Sequence, residues 1–294
     1  MSPPAMATLL RAAGDDNFIT LGDGNHVVLA SGTINRIVAG TATGTNDTNY
    51  VVTGGNSTVI LGAGHNTVVA TGDTSAISTG DGVQHITALG EHNSVTIGST
   101  PVRGEEHHAG FDRFDDDHGG GGSVIQTGDF ATISAGDGNT SITATGGFDL
   151  VRVGNGDDSI VLLDGTNAGV STVFLGNGND RLFLTGEHNT VFGGSGSDTI
   201  VDGGIGSDTF ILSAAGGSTT IDNFQSTDHL VLSQLTGGNL SDLTLTTVAD
   251  PRYGSGAVDT LITATAAGGT AQVTLHNFDG VSLAAMMAAQ SLYT

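Results

Sequence analysis

From Gly14 to Gly204, glycines recur at alternating intervals of eight and ten residues, so that every second step closes a period of 18. The run Gly54, Gly62, Gly72, Gly80, Gly90 and Gly98 shows the pattern uninterrupted. Where it breaks, an interval of ten grows to 14 between Gly40 and Gly54, to 30 between Gly98 and Gly128, and to 14 between Gly154 and Ala168, which fills a glycine slot. Insertions therefore fall at one kind of position and leave the phase intact. A period of this length admits few folds, because one unit cannot bury its own apolar residues and must stack on its neighbours.

Other columns keep the same phase. Five residues after each glycine that opens a short interval stand Ile19, Ile37, Val59, Ile77, Val95, Ile133, Val151, Val173 and Val191. Six after each glycine that opens a long one stand Val28, Val68, Ile86, Ile142, Ile160, Leu182 and Ile200, with Tyr50 and Val124 expected in two interrupted coils. β-Branched residues suit pleated strands and glycine suits tight turns. The expected fold class is all-β: a parallel β-roll or β-solenoid with an 18-residue coil of eight plus ten, two sheets and a C-terminal β-rich cap. At a strand spacing of roughly 4.8 Å, about nine coils would stack to about 40 Å.

Two further columns follow from alternation. Asn17, Asn35, Ser57, Ser75, Asn93, Ala131, Asp149, Ser171 and Asn189 form a polar column three residues after the short-interval glycines. Its reading is structural, side chains bonding from coil to coil and to turn backbone, rather than ligand binding. Leu29, Val51, Val69, Thr87, Ile125, Thr143, Val161, Phe183 and Val201 are expected on the outer face of one sheet. Thr53, Thr71, Thr127, Thr145 and Thr185 flank them, giving a flat apolar and threonine face suited to association.

The long-interval turns read GDGNH from Gly22, GAGHN from Gly62, GDGVQ from Gly80, GDGNT from Gly136, GNGDD from Gly154, GNGND from Gly176 and GSGSD from Gly194. GGSGSDTIV at Gly193 to Val201 and GGIGSDTFI at Gly203 to Ile211 stand in tandem. These segments resemble the calcium-binding nonapeptide of the RTX (repeats-in-toxin) family, G-G-x-G-x-D-x-U-x. The resemblance implies Ca2+ held between equivalent turns of successive coils by aspartate and turn carbonyls. It implies Asp158, Asp180 and Asp198 on one edge with carbonyls of Gly154, Gly156, Gly176, Gly178, Gly194 and Gly196, and Asp208 on the opposite edge with Gly204 and Gly206. In the N-terminal coils His26, Asn66, Gln84 and Thr140 fill the aspartate slot. Those coils are expected to stack without full calcium sites, with occasional ions near Asp23, Asp81 and Asp137. The alternative is that these aspartates only favour turns.

Composition narrows the partners. Thirty acidic residues face seven basic ones, all arginine, for a formal charge of −23, which disfavours nucleic acid and anionic membranes and favours cations. Zero cysteines exclude disulfides and thiol nucleophiles, and the absence of lysine excludes Schiff bases and phosphate-loop lysines. Neither G-x-S-x-G nor H-E-x-x-H occurs. No run is apolar enough for membrane insertion, and residues 1–13 lack a signal-peptide core.

The expected organisation is an N-terminal segment 1–13, a solenoid 14–212 interrupted by an insertion at 99–122, and a cap with secretion region at 213–294 that ends in a helix-like SLAAMMAAQSLYT. The insertion gathers Glu105, Glu106, His107, His108, Asp112, Asp115, Asp116, Asp117 and His118, either a solvated acidic loop or a metal ligand set. The C-terminal region resembles that of RTX proteins exported by type I systems, which implies an extracellular or cell-surface location without a cleaved N-terminal signal. Enzymes of that family carry a catalytic domain before the roll, and with the first coil at Gly14 none is expected. The function expected is a non-enzymatic, secreted, calcium-binding structural protein that folds on calcium and forms a homo-oligomer or polymer as a surface-layer, fibre or adhesin component. The alternative is a ligand-binding or enzymatic RTX protein that uses the outer face of the solenoid on surface polysaccharide.

Overall fold

The computed structural model describes residues 8–41, 48–98, 123–163, 170–212, 217–232, 243–250, 257–266, 269–276, 278 and 292–293. The chain is all-β, a parallel β-solenoid whose successive strands alternate between two sheets at about 18 residues a turn, with no helix among the described residues. It divides into two compact units, residues 1–127 with 134–141 and residues 128–133 with 142–294.

In the first unit, Thr8–Ala12, His26–Ala30, Thr48–Gly54, His65–Thr71, Gln84–Leu89 and Ser123–Thr127 pair in parallel, each with the next. Phe18–Thr20, Arg36–Ala39, Thr58–Leu61, Ala76–Thr79 and Ser94–Ile97 form the facing ladder. The parallel stacking thus begins at Thr8, ahead of the first periodic glycine. In the second unit, Ser159–Leu163, Arg181–Leu184, Gly196–Asp202 and Gly217–Asp222 stack in parallel. Leu150–Arg152, Thr172–Phe174, Thr190–Phe192, Thr209–Ile211, His229–Val231 and Leu292–Tyr293 make the other ladder, so stacking also continues beyond residue 212.

The cap is where direction changes. Gly269–His276 pairs in parallel with Gly217–Asp222, then Val258–Ala266 and Leu243–Ala249 add antiparallel strands. Of the helix-like C-terminal stretch, only Leu292 and Tyr293 are described, and they are extended. The rest of that stretch and the acidic insertion 101–122 lie outside the described residues.

Most strands contribute two inward apolar side chains, such as Ile37 with Ala39 and Ile160 with Leu162, to a narrow core. Ile37, Val59 and Val95 are fully buried facing Val28, Val68 and Ile86 in the first unit, as are Val151, Val173 and Val191 with Ile160, Leu182 and Ile200 in the second. Burying one such side chain stabilises by about 1.5–3 kcal/mol. The expected Tyr50 and Val124 are corrected by one place. Val28 pairs with Val51 and Ile86 pairs with Ile125, and both partners are wholly buried, whereas Tyr50 is exposed.

Val51, Ile125, Thr53 and Thr127 are therefore inside, not on the outer face, in these two coils. The cause is that strand alternation is fixed by pairing with the neighbouring coils, while the insertion upstream sets no register. Thr53 uses its inward place, accepting from Asn35 Nδ2 at 3.2 Å and donating to Ser57 Oγ at 2.9 Å. The remaining outer positions Leu29, Val69, Thr87, Thr143, Val161 and Val201 are half-buried, and Phe183 is exposed.

The polar column is a hydrogen-bond ladder. Asn17 Nδ2 donates to Asn35 Oδ1 at 2.7 Å, Asn35 N to Ser57 Oγ at 3.3 Å, and Ser75 N to Asn93 Oδ1 at 2.9 Å. In the second unit Ala131 N donates to Asp149 Oδ1, Asp149 N to Ser171 Oγ, and Ser171 N to Asn189 Oδ1. Beyond the side-chain rung at Asn17, each of these bonds satisfies a buried backbone amide that the narrow turn leaves outside the strand ladders.

Candidate metal centres

The turns from Gly154, Gly176 and Gly194 lie in register on one another. Parallel bridges join Asn155 to Asn177 and Asn177 to Ser195. Asn177 N donates to Gly154 O at 2.9 Å, Gly156 N to Asn177 O at 2.8 Å, Ser195 N to Gly176 O at 3.1 Å, and Gly178 N to Ser195 O at 2.8 Å. A Cβ on Gly176 would collide with the Gly154 carbonyl oxygen, and one on Gly194 with that of Gly176. Gly178 adds a φ of 139°, which side chains rarely adopt. Gly62 and Gly80, in turns without the aspartate, meet the same backbone wall. Glycine periodicity is thus a requirement of stacking, separate from whatever the aspartates do.

Those aspartates form a single buried column. Asp158 N donates to Asp180 Oδ1 at 2.9 Å, and Asp180 N to Asp198 Oδ1 at 3.1 Å. Asp158 and Asp180 are each 1 % exposed and Asp198 3 %, and the Oδ2 atom of Asp180 is buried with no hydrogen-bond partner. The charges that bear on Asp180 are Asp158, Asp198 and Asp157, all of its own sign. Burial pushes Asp180 up to about 7 and Asp198 up to about 6, against the amides that lower them.

The corresponding column of the first unit shows what a neutral solution looks like. Asn49 Nδ2 donates to Asn66 Oδ1 and Asn66 Nδ2 to Gln84 Oε1, each at 2.8 Å, and Gln84 N donates to Ser123 Oγ. His26 Nε2 meets Gly22 O at 2.8 Å. An amide both donates and accepts, so Asn66 links its neighbours on both sides, although Asn49 Oδ1 and His26 Nδ1 are buried without a partner; a carboxylate only accepts. Asp23, one of the residues beside which an ion was expected, accepts from Thr41 N at 2.9 Å.

Asp208 lies in the other turn column, as its place opposite the first three aspartates requires. Asn189 N donates to its Oδ1 at 2.6 Å, and Asp208 N donates to Asp228 Oδ1 at 3.0 Å. Gly204 O accepts from Gln225 Nε2 at 2.8 Å and Gly206 O from the Thr227 hydroxyl. Asp202, accepting from Gly204 N at 3.0 Å, completes a cluster in which one oxygen from each of Asp202, Asp208 and Asp228 lies within 4.8 Å of the others. All three are buried, and the Oδ2 atoms of Asp202 and Asp208 have no donor. Burial pushes Asp202 up to about 7, Asp228 to about 6, and Asp208 also upward. Only a shared proton or a cation brings such oxygens together at low cost.

Asp202 and Asp228 escaped the sequence reading, though both carried a signal. Asp228 stands two residues before Leu230, as Asp208 does before Phe210 and Asn189 before Val191, so extending the polar column from Asn189 by two coils reaches first Asp208 and then Asp228. Asp202 occupies the inward place that Leu184 fills in the preceding coil. A charge at a core position is the anomaly that marks a site.

The donor set of both groups is oxygen only, carboxylate with turn carbonyl nearby, which fits a hard cation such as Ca2+. Asp158, Asp180 and Asp198 would hold an ion at the stacked turns, and Asp202, Asp208 and Asp228 at the other column. Bound there, the ion would supply positive charge beside carboxylates that burial removes from water. In comparison with known proteins, the chain matches no family model, no curated protein and no solved structure.

Proposed function

We propose that this chain is a secreted, calcium-binding structural protein of the RTX β-roll class, non-catalytic, whose acidic turns fold on calcium and which then self-associates at a cell surface. The observation that carries the reading is the buried column Asp158, Asp180, Asp198, in which the charges that bear on the central Asp180 are carboxylates. Without a cation such a column opposes folding; with one, binding energy becomes folding energy. Low calcium inside a cell would leave the chain extended for export, and millimolar calcium outside would close the turns. The tandem nonapeptides and a net charge of −23 support the same reading.

Circular dichroism with calcium and with chelator tests it, followed by light scattering on the calcium-loaded protein. A β-rich spectrum and growth in particle size that both require calcium are expected. A β-rich spectrum indifferent to chelation removes the ion from the mechanism, and a calcium-loaded monomer that binds glycans favours the polysaccharide alternative.

A further inference from the structure

The antiparallel cap brings together a polar group of different chemistry. Asp222 ends Gly217–Asp222 and pairs in parallel register with His276, the last residue of Gly269–His276. Thr260 pairs with Leu275, which places Asp259 beside His276 across the next ladder. Asp259 itself pairs with Val248, two residues before Asp250. Neighbouring strands thus set Asp222, His276, Asp259 and Asp250 side by side at one end of the sheet.

The geometry among them is ordered. His276 Nδ1 is hydrogen-bonded to Asp222 Oδ1, and its Nε2 lies 3.9 Å from Asp259 Oδ2. One ligand atom from each of Asp250, Asp259 and His276 lies within 4.8 Å of the other two, and the three residues are 3 %, 8 % and 9 % exposed. A separation of 3.9 Å is too long for a hydrogen bond but falls inside the roughly 4 Å spanned by two metal–ligand bonds of about 2.0–2.2 Å. A carboxylate on the far nitrogen of an imidazole is the usual device that fixes the tautomer and aims the other lone pair at a metal.

We propose that Asp250, Asp259 and His276 form a site for a divalent transition ion of the zinc class, with Asp222 as the positioning residue. One imidazole nitrogen and two carboxylates suit Zn2+, whereas Ca2+ takes six to eight oxygens and gains little from imidazole. The ion would tie the three cap strands Leu243–Ala249, Val258–Ala266 and Gly269–His276 together at one end. The proposal is independent of the acidic turns, which lie on other strands and offer oxygen alone.

The test is titration of the full chain, in saturating calcium, with Co2+ as a spectroscopic substitute for Zn2+. A single equivalent that gives intense low-coordinate visible bands, displaced by Zn2+, is expected. His276→Gln should abolish the bands, and Asp222→Asn should weaken affinity about 10–100-fold. Bands that survive His276→Gln overturn the proposal, as does their absence from the wild-type protein. Should His276→Gln lack a native β-sheet spectrum, Asp259→Asn is read the same way. X-ray absorption of the zinc-loaded wild type needs no variant, and an all-oxygen shell there sinks the assignment.

Discussion

Asp180 and Asn66 hold equivalent places in the turn columns of their own units, and the chemical difference between them is one charge. Asn66 passes a hydrogen bond on to Gln84, while Asp180 keeps an oxygen that nothing donates to. Asp180→Asn should therefore act in opposite directions under two conditions. In chelator it should stabilise the protein by on the order of 1–3 kcal/mol, since a buried charge is lost and an amide fits the column. In calcium it should weaken ion binding at least about tenfold, since a charged ligand is gone. Denaturant midpoints with and without calcium check both arms.

The same carboxylates set a pH dependence. Asp180 and Asp202 are pushed up to about 7, and Asp198 and Asp228 to about 6, by burial. A carboxylate with a raised folded-state pKa holds its proton in the native state while the unfolded chain has released it. Stability should then fall as pH rises from about 4 to about 7, the reverse of a salt-bridged aspartate. On the proposed function calcium takes the proton's place, so melting temperatures measured against pH should fall in chelator and stay nearly level in calcium.

At the scale of the element, the short-interval turns repeat a left-handed residue just before the polar column. Asp16, Ile34, Asn56, Thr74 and His92 all have φ between 50° and 61° in the first unit. The turn needs that conformation to aim the next side chain inward, whatever residue stands there. For β-branched Ile34 it costs about 1–2 kcal/mol, and Asn tolerates it better. Ile34 is 54 % exposed, so little burial is lost on replacement. Ile34→Asn should raise the unfolding free energy by about 1 kcal/mol, measured in denaturant with calcium held fixed. No sequence column foretold this strain, because the position varies freely among Asp, Ile, Asn, Thr and His.

The strands were legible for a different reason. Ile37, Val59 and Val95 follow their glycines at a fixed distance, and the structure buries all of them. Tyr50 and Val124 failed where an insertion separates strand from glycine, because register is then decided by pairing with the coils on either side. Asp202 stands two residues after Ile200, an inward place where the preceding coils hold alanine, threonine or leucine, so the column's own variety concealed it.

For the molecule as a whole, stability is a sum of neighbour terms, so the two units should respond differently to calcium. The ladder through Asn49, Asn66 and Gln84 is neutral, whereas the column through Asp158, Asp180 and Asp198 is the one that, on the proposed function, takes calcium. Hydrogen exchange should show chelator stripping protection from residues 150–232 while strands from His26 to Leu89 change little. Uniform loss across both units would mean that folding is a single cooperative event and that the column chemistry does not partition it.

The sequence by itself determined the period, the alternation of strand and turn, the inward columns and the stacking of Asp158, Asp180 and Asp198, because in a solenoid each residue meets its counterpart one period away. The tertiary structure alone decided the register across insertions, the burial of Asp202 against Asp208 and Asp228, and the meeting of Asp222, Asp250, Asp259 and His276. Those contacts join strands of unlike spacing, and the last group depends on antiparallel pairing in the cap, which no repeat encodes. A repeated sequence fixes what recurs, and singular contacts arise where a coil departs from the repeat, as at Asp202, or where the chain reverses, as in the cap.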